Sequence, residues 1–172
     1  MIMKTCIRFT IILLIVFNLV SCLNDAPIGH INKRDLIDYE FPKAKEEVRK
    51  TFLAIAKSIV DGDMDKLISF HAYGPKFTEF KNGEHGNGGE ANEAYERNVF
   101  GSVTEVVAFN ANDLKIAVYG EVANLTFHSD FKLKFGEDLV VVNDQITLLF
   151  VKTKDGWKMV HEHHSPLKKV EG

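Results

Sequence analysis

The chain has 172 residues, a formal net charge of −3 at pH 7 and 45% hydrophobic residues. That is one domain's worth, with enough apolar side chains for a single buried core. The charge balance has none of the basic excess that nucleic-acid binding requires, so no nucleic-acid partner is expected.

The first 22 residues read as an address. Lys4 and Arg8 give a positive start, and 9–20 is an apolar run broken only by Thr10 and Asn18. The run is short for a membrane span and sits where a secretion signal sits. Leu19-Val20-Ser21-Cys22 resembles the motif that closes bacterial lipoprotein signals. The resemblance implies that Cys22 becomes the lipidated first residue and that the chain contacts the membrane through it. An ordinary cleavage site wants a small residue at Leu19, and an uncleaved anchor wants a longer run. The expected place is the bacterial cell envelope, at the outer or plasma membrane. Leu23 supplies no retention signal of the aspartate type.

The only two cysteines are Cys6, inside this signal, and Cys22. The domain beyond has no disulfide and must be held by its core. Thiol catalysis and cysteine-built zinc sites are excluded. Asn124-Leu125-Thr126 matches a glycosylation sequon, expected to be empty in a bacterial lipoprotein.

Residues 23–42, with Pro27, Gly29 and Asn32, read as a tether. A helix follows from 42 or 43 to 60, because Val48, Phe52, Ile55, Ala56 and Ile59 share one face opposite Lys43, Lys45, Glu46, Arg49 and Lys50. Asp61-Gly62-Asp63 supplies its C-cap and the next N-cap. A second helix covers 64–71 and turns Leu67, Ile68 and Phe70 inward. Tyr73-Gly74-Pro75 breaks it, 77–80 is a short strand, and 81–89 is a glycine-rich loop. A third helix covers 90–100, with Ala91, Ala94, Tyr95 and Phe100 available for packing.

From 101 onward the pattern changes to strands. They are predicted at 103–109, 114–119, 123–133 with a break near Ser129, and 139–153 interrupted at Asn143-Asp144-Gln145. Lys154-Asp155-Gly156 is a hairpin turn, and 157–164 is the last strand. Three helices followed by an antiparallel meander predict an α+β domain, with helices covering one face of a strongly curved sheet. Such a sheet makes a cone whose mouth is a natural pocket.

Several of these segments carry a family resemblance. Asp61-Gly62-Asp63-Met64-Asp65-Lys66-Leu67 after an amphipathic helix resembles the opening of SnoaL-like domains. Residues 113–123 and 147–152 resemble their central strands, and 155–165 their last. The closing Trp157-x-x-Val160-His161-x-His163-x-Ser165 is also similar to the association domain of calcium/calmodulin-dependent kinase II. All belong to the nuclear transport factor 2-like superfamily. The match covers 43–166, leaving 167–172 as a tail. It implies a cone-shaped cavity and a homodimer through the sheet's outer face. It does not fix a reaction, because the superfamily holds isomerases, cyclases, dehydratases and assembly hubs.

Strict alternation puts His161 and His163 on one face with Trp157 and Met159, with Val160, Glu162 and His164 on the other. Imidazoles titrate near neutrality, so two at i and i+2 can line a ligand or trade protons. His128, Asp130 and Asp144 lie on the long strands, and Tyr119, Tyr95 and Tyr73 are possible hydroxyl donors. The Asp, Tyr and protonated-acid trio of a steroid isomerase finds no matching positions. His71 lies where helix two meets the first strand, His85 is predicted solvated, and Glu90, Glu93 and Glu96 read as an exposed helix face. The pocket candidates are Trp157, His161, His163, Tyr119, His128 and His71, facing a small apolar or amphipathic ligand, with no cofactor and no metal. The preferred reading is a tethered, non-catalytic pocket domain. The alternatives are an isomerase or dehydratase using pocket histidines, and a partner-binding module of an envelope assembly.

Overall fold

In a computed structural model, the structure describes residues 35–84, 86 and 88–168. The signal, Cys22, most of the tether, His85 and the end of the tail lie outside the described residues. The fold below belongs to the compact unit Leu36–Gly172.

Helix α1 (Pro42–Asp61) has proline in its first turn, where the missing N–H costs nothing. It buries Val48, Phe52, Ile55 and Ile59, the stripe its spacing predicts. Gly62 ends it at φ 70°, donating its N–H to the Ile59 carbonyl. The Asp63 carboxylate then accepts the Lys66 N–H at 2.9 Å and opens α2 (Met64–Ser69). After β1 (Thr78–Lys81) comes α3 (Gly88–Gly101), which buries Gly89, Asn92 and Glu96. The predicted packing residues Ala91 and Ala94 of α3 face solvent instead.

The strands are β2 (Glu105–Tyr119), β3 (Val122–Phe135), β4 (Asp138–Val142), β5 (Asp144–Thr153) and β6 (Gly156–Pro166). Their order is β1-β6-β5-β3-β2, with β4 paired to β3. All pairs are antiparallel except β1 with β6, so the sheet is mixed. Among the described residues no helix is long and apolar enough to cross a membrane.

Two predicted breaks are not breaks. The strands expected at 103–109 and 114–119 are one, β2, kinked at Asp113, where φ is 55° and the register slips between Asn112 and Lys115. A bulge bends a strand without ending its pairing, and aspartate tolerates the left-handed backbone. Ser129 likewise does not interrupt β3. Its hydroxyl donates to the Val142 carbonyl at 2.9 Å and accepts the Asp144 N–H at 2.8 Å. It stitches the point where β3 exchanges β5 for β4 as its partner, and the interruption expected at 143–145 falls at Asn143, between β4 and β5.

β3 alternates cleanly. Ala123, Leu125, Phe127, Phe131 and Leu133 are buried, while Thr126, His128, Asp130 and Lys132 lie on the other face. Of these, Ala123, Leu125, Phe127 and Phe131 pack with α1, Leu67, Leu148, Phe150 and Met159 into one core. Val48, Leu125 and Phe150 are fully buried, each contributing about 1.5–3 kcal/mol of transfer free energy.

Candidate functional site

The last strand does not keep the alternation that its sequence suggests. In the β5–β6 ladder Leu149 pairs with His161 and Phe150 with Met159, leaving Val160 as an extra residue. This bulge shifts the inward face by one. Trp157 and Met159 point into the core, and so do Glu162 and His164, opposite Leu148 and Ile146. His161 and His163 turn to the outer face. The expectation that they share a face with Trp157 is therefore corrected, because a one-residue insertion reverses side-chain direction downstream.

The inward face closes over a cavity of about 70 Å³ between the helices and the sheet. Phe52, Ile59, Leu67, Phe127 and Leu148 form much of its apolar wall. Four ionisable side chains interrupt that wall: His71, Glu96, Glu162 and His164.

Their hydrogen bonds define the site. His71 Nε2 lies 2.9 Å from Glu162 Oε1, and His164 Nε2 lies 3.3 Å from Glu162 Oε2. His71 Nδ1 is 3.1 Å from the Leu67 carbonyl, which only accepts, so this nitrogen carries a proton. Nε2 then either donates to a carboxylate or accepts from a carboxylic acid, two forms differing by the position of one proton. Behind the pair, Tyr73 stacks on the His71 ring at 4.8 Å and donates its hydroxyl to Asn92 Oδ1 at 2.6 Å. The Asn92 Nδ2 is buried without a partner among the described residues.

The two carboxyls are driven apart. Burial alone raises the pKa of Glu162, but hydrogen bonds from His164 and His71 and their nearby charge outweigh it and hold the group below the usual carboxylate range. Burial, reinforced by the charge of Glu162, pushes Glu96 well above that range. Burial, then Glu96 and Glu162, also raises Tyr73, which stays a neutral donor. One acid kept ionised beside one kept neutral is the arrangement that separates a base from an acid. Glu96 and His164 Nδ1 accept or donate no hydrogen bond with the described residues, so both are free to meet a ligand.

Of the six predicted pocket residues, His71 alone lines this cavity. Trp157 is buried in the core, its indole N–H donating to Glu47 Oε2 on α1 at 3.2 Å. Lys152 and then that indole hold the Glu47 carboxyl low. Tyr119 is half-exposed at the end of β2, beside Ile37 and Tyr39. His128 is on the outer face, its Nδ1 3.3 Å from Asp113 Oδ2. There too lie His163 and His161, the latter with Nδ1 2.8 Å from the Thr78 hydroxyl.

Glu162, His164 and Glu96 escape the sequence reading for two reasons. The bulge at Val160 has no local sequence mark. Glu96 reads with Glu90 and Glu93 as one exposed face, yet Gly89, Asn92, Glu96 and Phe100 recur at helical spacing, a stripe that marks it as inward.

Comparison with known proteins agrees with this architecture. A candidate dehydratase of the nuclear transport factor 2-like family from Streptomyces avermitilis superposes with a TM-score of 0.66 at 21% identity, covering 74% of this chain and 98% of its own. A nuclear transport factor 2-like protein of unknown function from Pseudomonas putida gives 0.62 at 20%, with 77% and 93% covered. A candidate aromatic ring hydroxylase from Novosphingobium aromaticivorans gives 0.64 at 17%, with 76% and 94% covered. At these identities the likeness is one of fold. No curated protein sequence is significantly similar to this chain. Residues 48–168 match the family of SnoaL-like domains, most of the compact unit. With its α+β architecture and the curved mixed sheet of the nuclear transport factor 2-like fold, the chain belongs to the family of SnoaL-like domains.

Proposed function

We propose that this chain is a lipid-anchored pocket protein that performs acid–base chemistry on a compact, mostly apolar carbonyl compound. One observation carries the reading: in the wall of an apolar cavity, Glu162 bridges His71 and His164, and the Glu96 carboxyl, its pKa raised by burial, lines the same cavity. Glu162 orients His164 through Nε2 and leaves Nδ1 as the base. His164 Nδ1 takes a proton from the carbon next to the carbonyl, and the Glu96 carboxyl donates to the carbonyl oxygen. The protonated His164 then gives its proton either to the far carbon of a conjugated enol or to a hydroxyl on the carbon beside the one deprotonated, which leaves as water; in both courses the enol O–H proton returns to Glu96 as the carbonyl re-forms. That second course is the reaction class named for the Streptomyces avermitilis neighbour. A cavity of about 70 Å³ selects a compact substrate. The missing isomerase trio favours binding without catalysis; the set in the cavity is built largely from other residues, Glu162, His164 and Glu96. Anchoring through Cys22 in a bacterial envelope rests on the motif Leu19-Val20-Ser21-Cys22.

The test uses the full chain in detergent micelles in D2O with butanone, following deuterium entry at the carbons beside the carbonyl by proton NMR. The wild type accelerates exchange, His164→Ala loses about a hundredfold or more, and His161→Ala does not. Equal rates with wild type and His164→Ala would remove the catalytic reading.

Assembly with a second chain has one observation in its favour. Leu139, Val140 and Val141 are consecutive and exposed on β4, whose one named strand partner is β3. An open apolar edge is a template for pairing. Sedimentation of Val140→Lys against wild type checks it: a dimer that persists in the variant excludes this edge.

A further inference from the structure

Lys81 closes β1, and the parallel ladder sets it opposite His164 on β6, next to the pair Glu79 and Glu162. Residues paired across a sheet point to the same face, so Glu79 and Lys81 stand on the inner side with Glu162 and His164. The burial of β1 agrees: Glu79 and Lys81 are half-buried, while Thr78 and Phe80 are exposed. Lys81 is therefore the strand neighbour of the histidine assigned above as the base, on the side of the sheet that carries the cavity.

Its ammonium is held without being neutralised. Lys81 Nζ lies 3.2 Å from the centroid of the Tyr95 ring on α3, one residue before Glu96. A ring face attracts a cation, but it does not satisfy three N–H donors as oxygen atoms do. Nζ makes no hydrogen bond and no ion pair with the described residues. Its charge still reaches Glu96, where it pulls the carboxyl down against burial and Glu162. A cation fixed on a ring, beside the base and within electrostatic reach of the acid, is placed to meet an anion that enters with the substrate.

The surroundings narrow that anion. The cavity wall is mostly apolar, so the charged group sits at the end of a short carbon chain. Glu79 and Glu162 on the same face repel a dianion such as phosphate, whereas one ammonium matches one carboxylate. Adjacent strands lie about 4.8 Å apart, so the carboxylate at Lys81 and the carbon at His164 belong to one compact molecule.

We infer that the cavity takes a short-chain oxo acid, with Lys81 holding its carboxylate and its carbonyl end directed to His164 and Glu96. This names the substrate class of the site proposed above and rests on that reading.

Two ketones of one shape separate charge from fit: 4-oxopentanoate, and 5-methylhexan-2-one, whose isopropyl end replaces the carboxylate. With the full chain in detergent micelles in D2O, proton NMR gives kcat/KM for deuterium entry into each, relative to the same micelles without protein. The wild type should prefer the oxo acid about tenfold or more. Lys81→Met and Lys81→Gln should each lower that ratio about tenfold, and Lys81→Arg should keep most of it. Saturation-transfer NMR reads binding separately: His164→Ala should still bind 4-oxopentanoate, and adding Lys81→Met should weaken that binding about tenfold. A ratio that Lys81→Met and Lys81→Gln leave unchanged overturns the inference and leaves the acid–base reading intact. Binding that Lys81→Met does not weaken, or no binding at all, also overturns it. Lys81-dependent binding with no exchange of either ketone supports the oxo acid site and removes the catalytic reading instead.

Discussion

His71 and Glu162, 91 positions apart in the chain, meet at 2.9 Å with side chains only 1% and 6% exposed. The contact ties the end of α2 to the middle of β6. It is reinforced by backbone bonds between the same segments: the Ala72 N–H donates to the Met159 carbonyl at 2.8 Å, and the Met159 N–H to the Phe70 carbonyl at 2.8 Å. The sheet's edge and the helical layer are thus joined at the site itself.

A buried charge that loses its partner costs more than a surface one. Glu162→Ala should therefore destabilise the domain by about 3–5 kcal/mol, because it leaves two imidazole nitrogens facing an apolar wall. Glu162→Gln, which keeps volume and some hydrogen bonding, should cost less. Urea unfolding of both variants checks the order, and equal small losses would mean the pair is not buried in solution.

The two pocket carboxyls give opposite pH dependences. The unfolded chain ionises Glu96 near the ordinary value of about 4.3, while the fold keeps it neutral, so its effect on stability worsens as pH rises above that value. Glu162 does the reverse: its contribution is complete above the ordinary value and is lost as pH falls toward about 2. Taken as a pair they favour the folded state most near about pH 4–5. Urea midpoints from pH 2.5 to 8 should show Glu96→Gln removing the decline on the alkaline side. A variant curve parallel to wild type there would place Glu96 in water.

The bulge at Val160 predicts which histidines a reagent can reach. In a Cys6→Ser, Cys22→Ser background, His163→Cys should react with a water-soluble maleimide roughly tenfold faster or more than His164→Cys. Strict alternation predicts the opposite order, so labelling rates distinguish the two arrangements directly.

Much of the architecture was legible in the chain itself. The stripe Val48, Phe52, Ile55, Ile59 marked α1, Asp61-Gly62-Asp63 marked the turn to α2, and the alternation of Ala123 to Leu133 marked the half-buried β3. These signals are local: helical and strand periods, caps and turns depend on residues a few positions apart. The same local rules gave β6 the wrong inward face beyond Met159. They also separate 103–109 from 114–119 and break 123–133 near Ser129, where the structure has a kink at Asp113 and a stitch at Ser129. Whether a strand bends, slips or continues depends on what the neighbouring strand offers as a partner, and that neighbour comes from elsewhere in the chain. The pocket shows the same division. His71 could be proposed from its place at a helix end, but only tertiary packing brings Glu162, His164 and Glu96 to it, because the burial that makes one acid ionised and the other neutral does not exist until helix and sheet close over both.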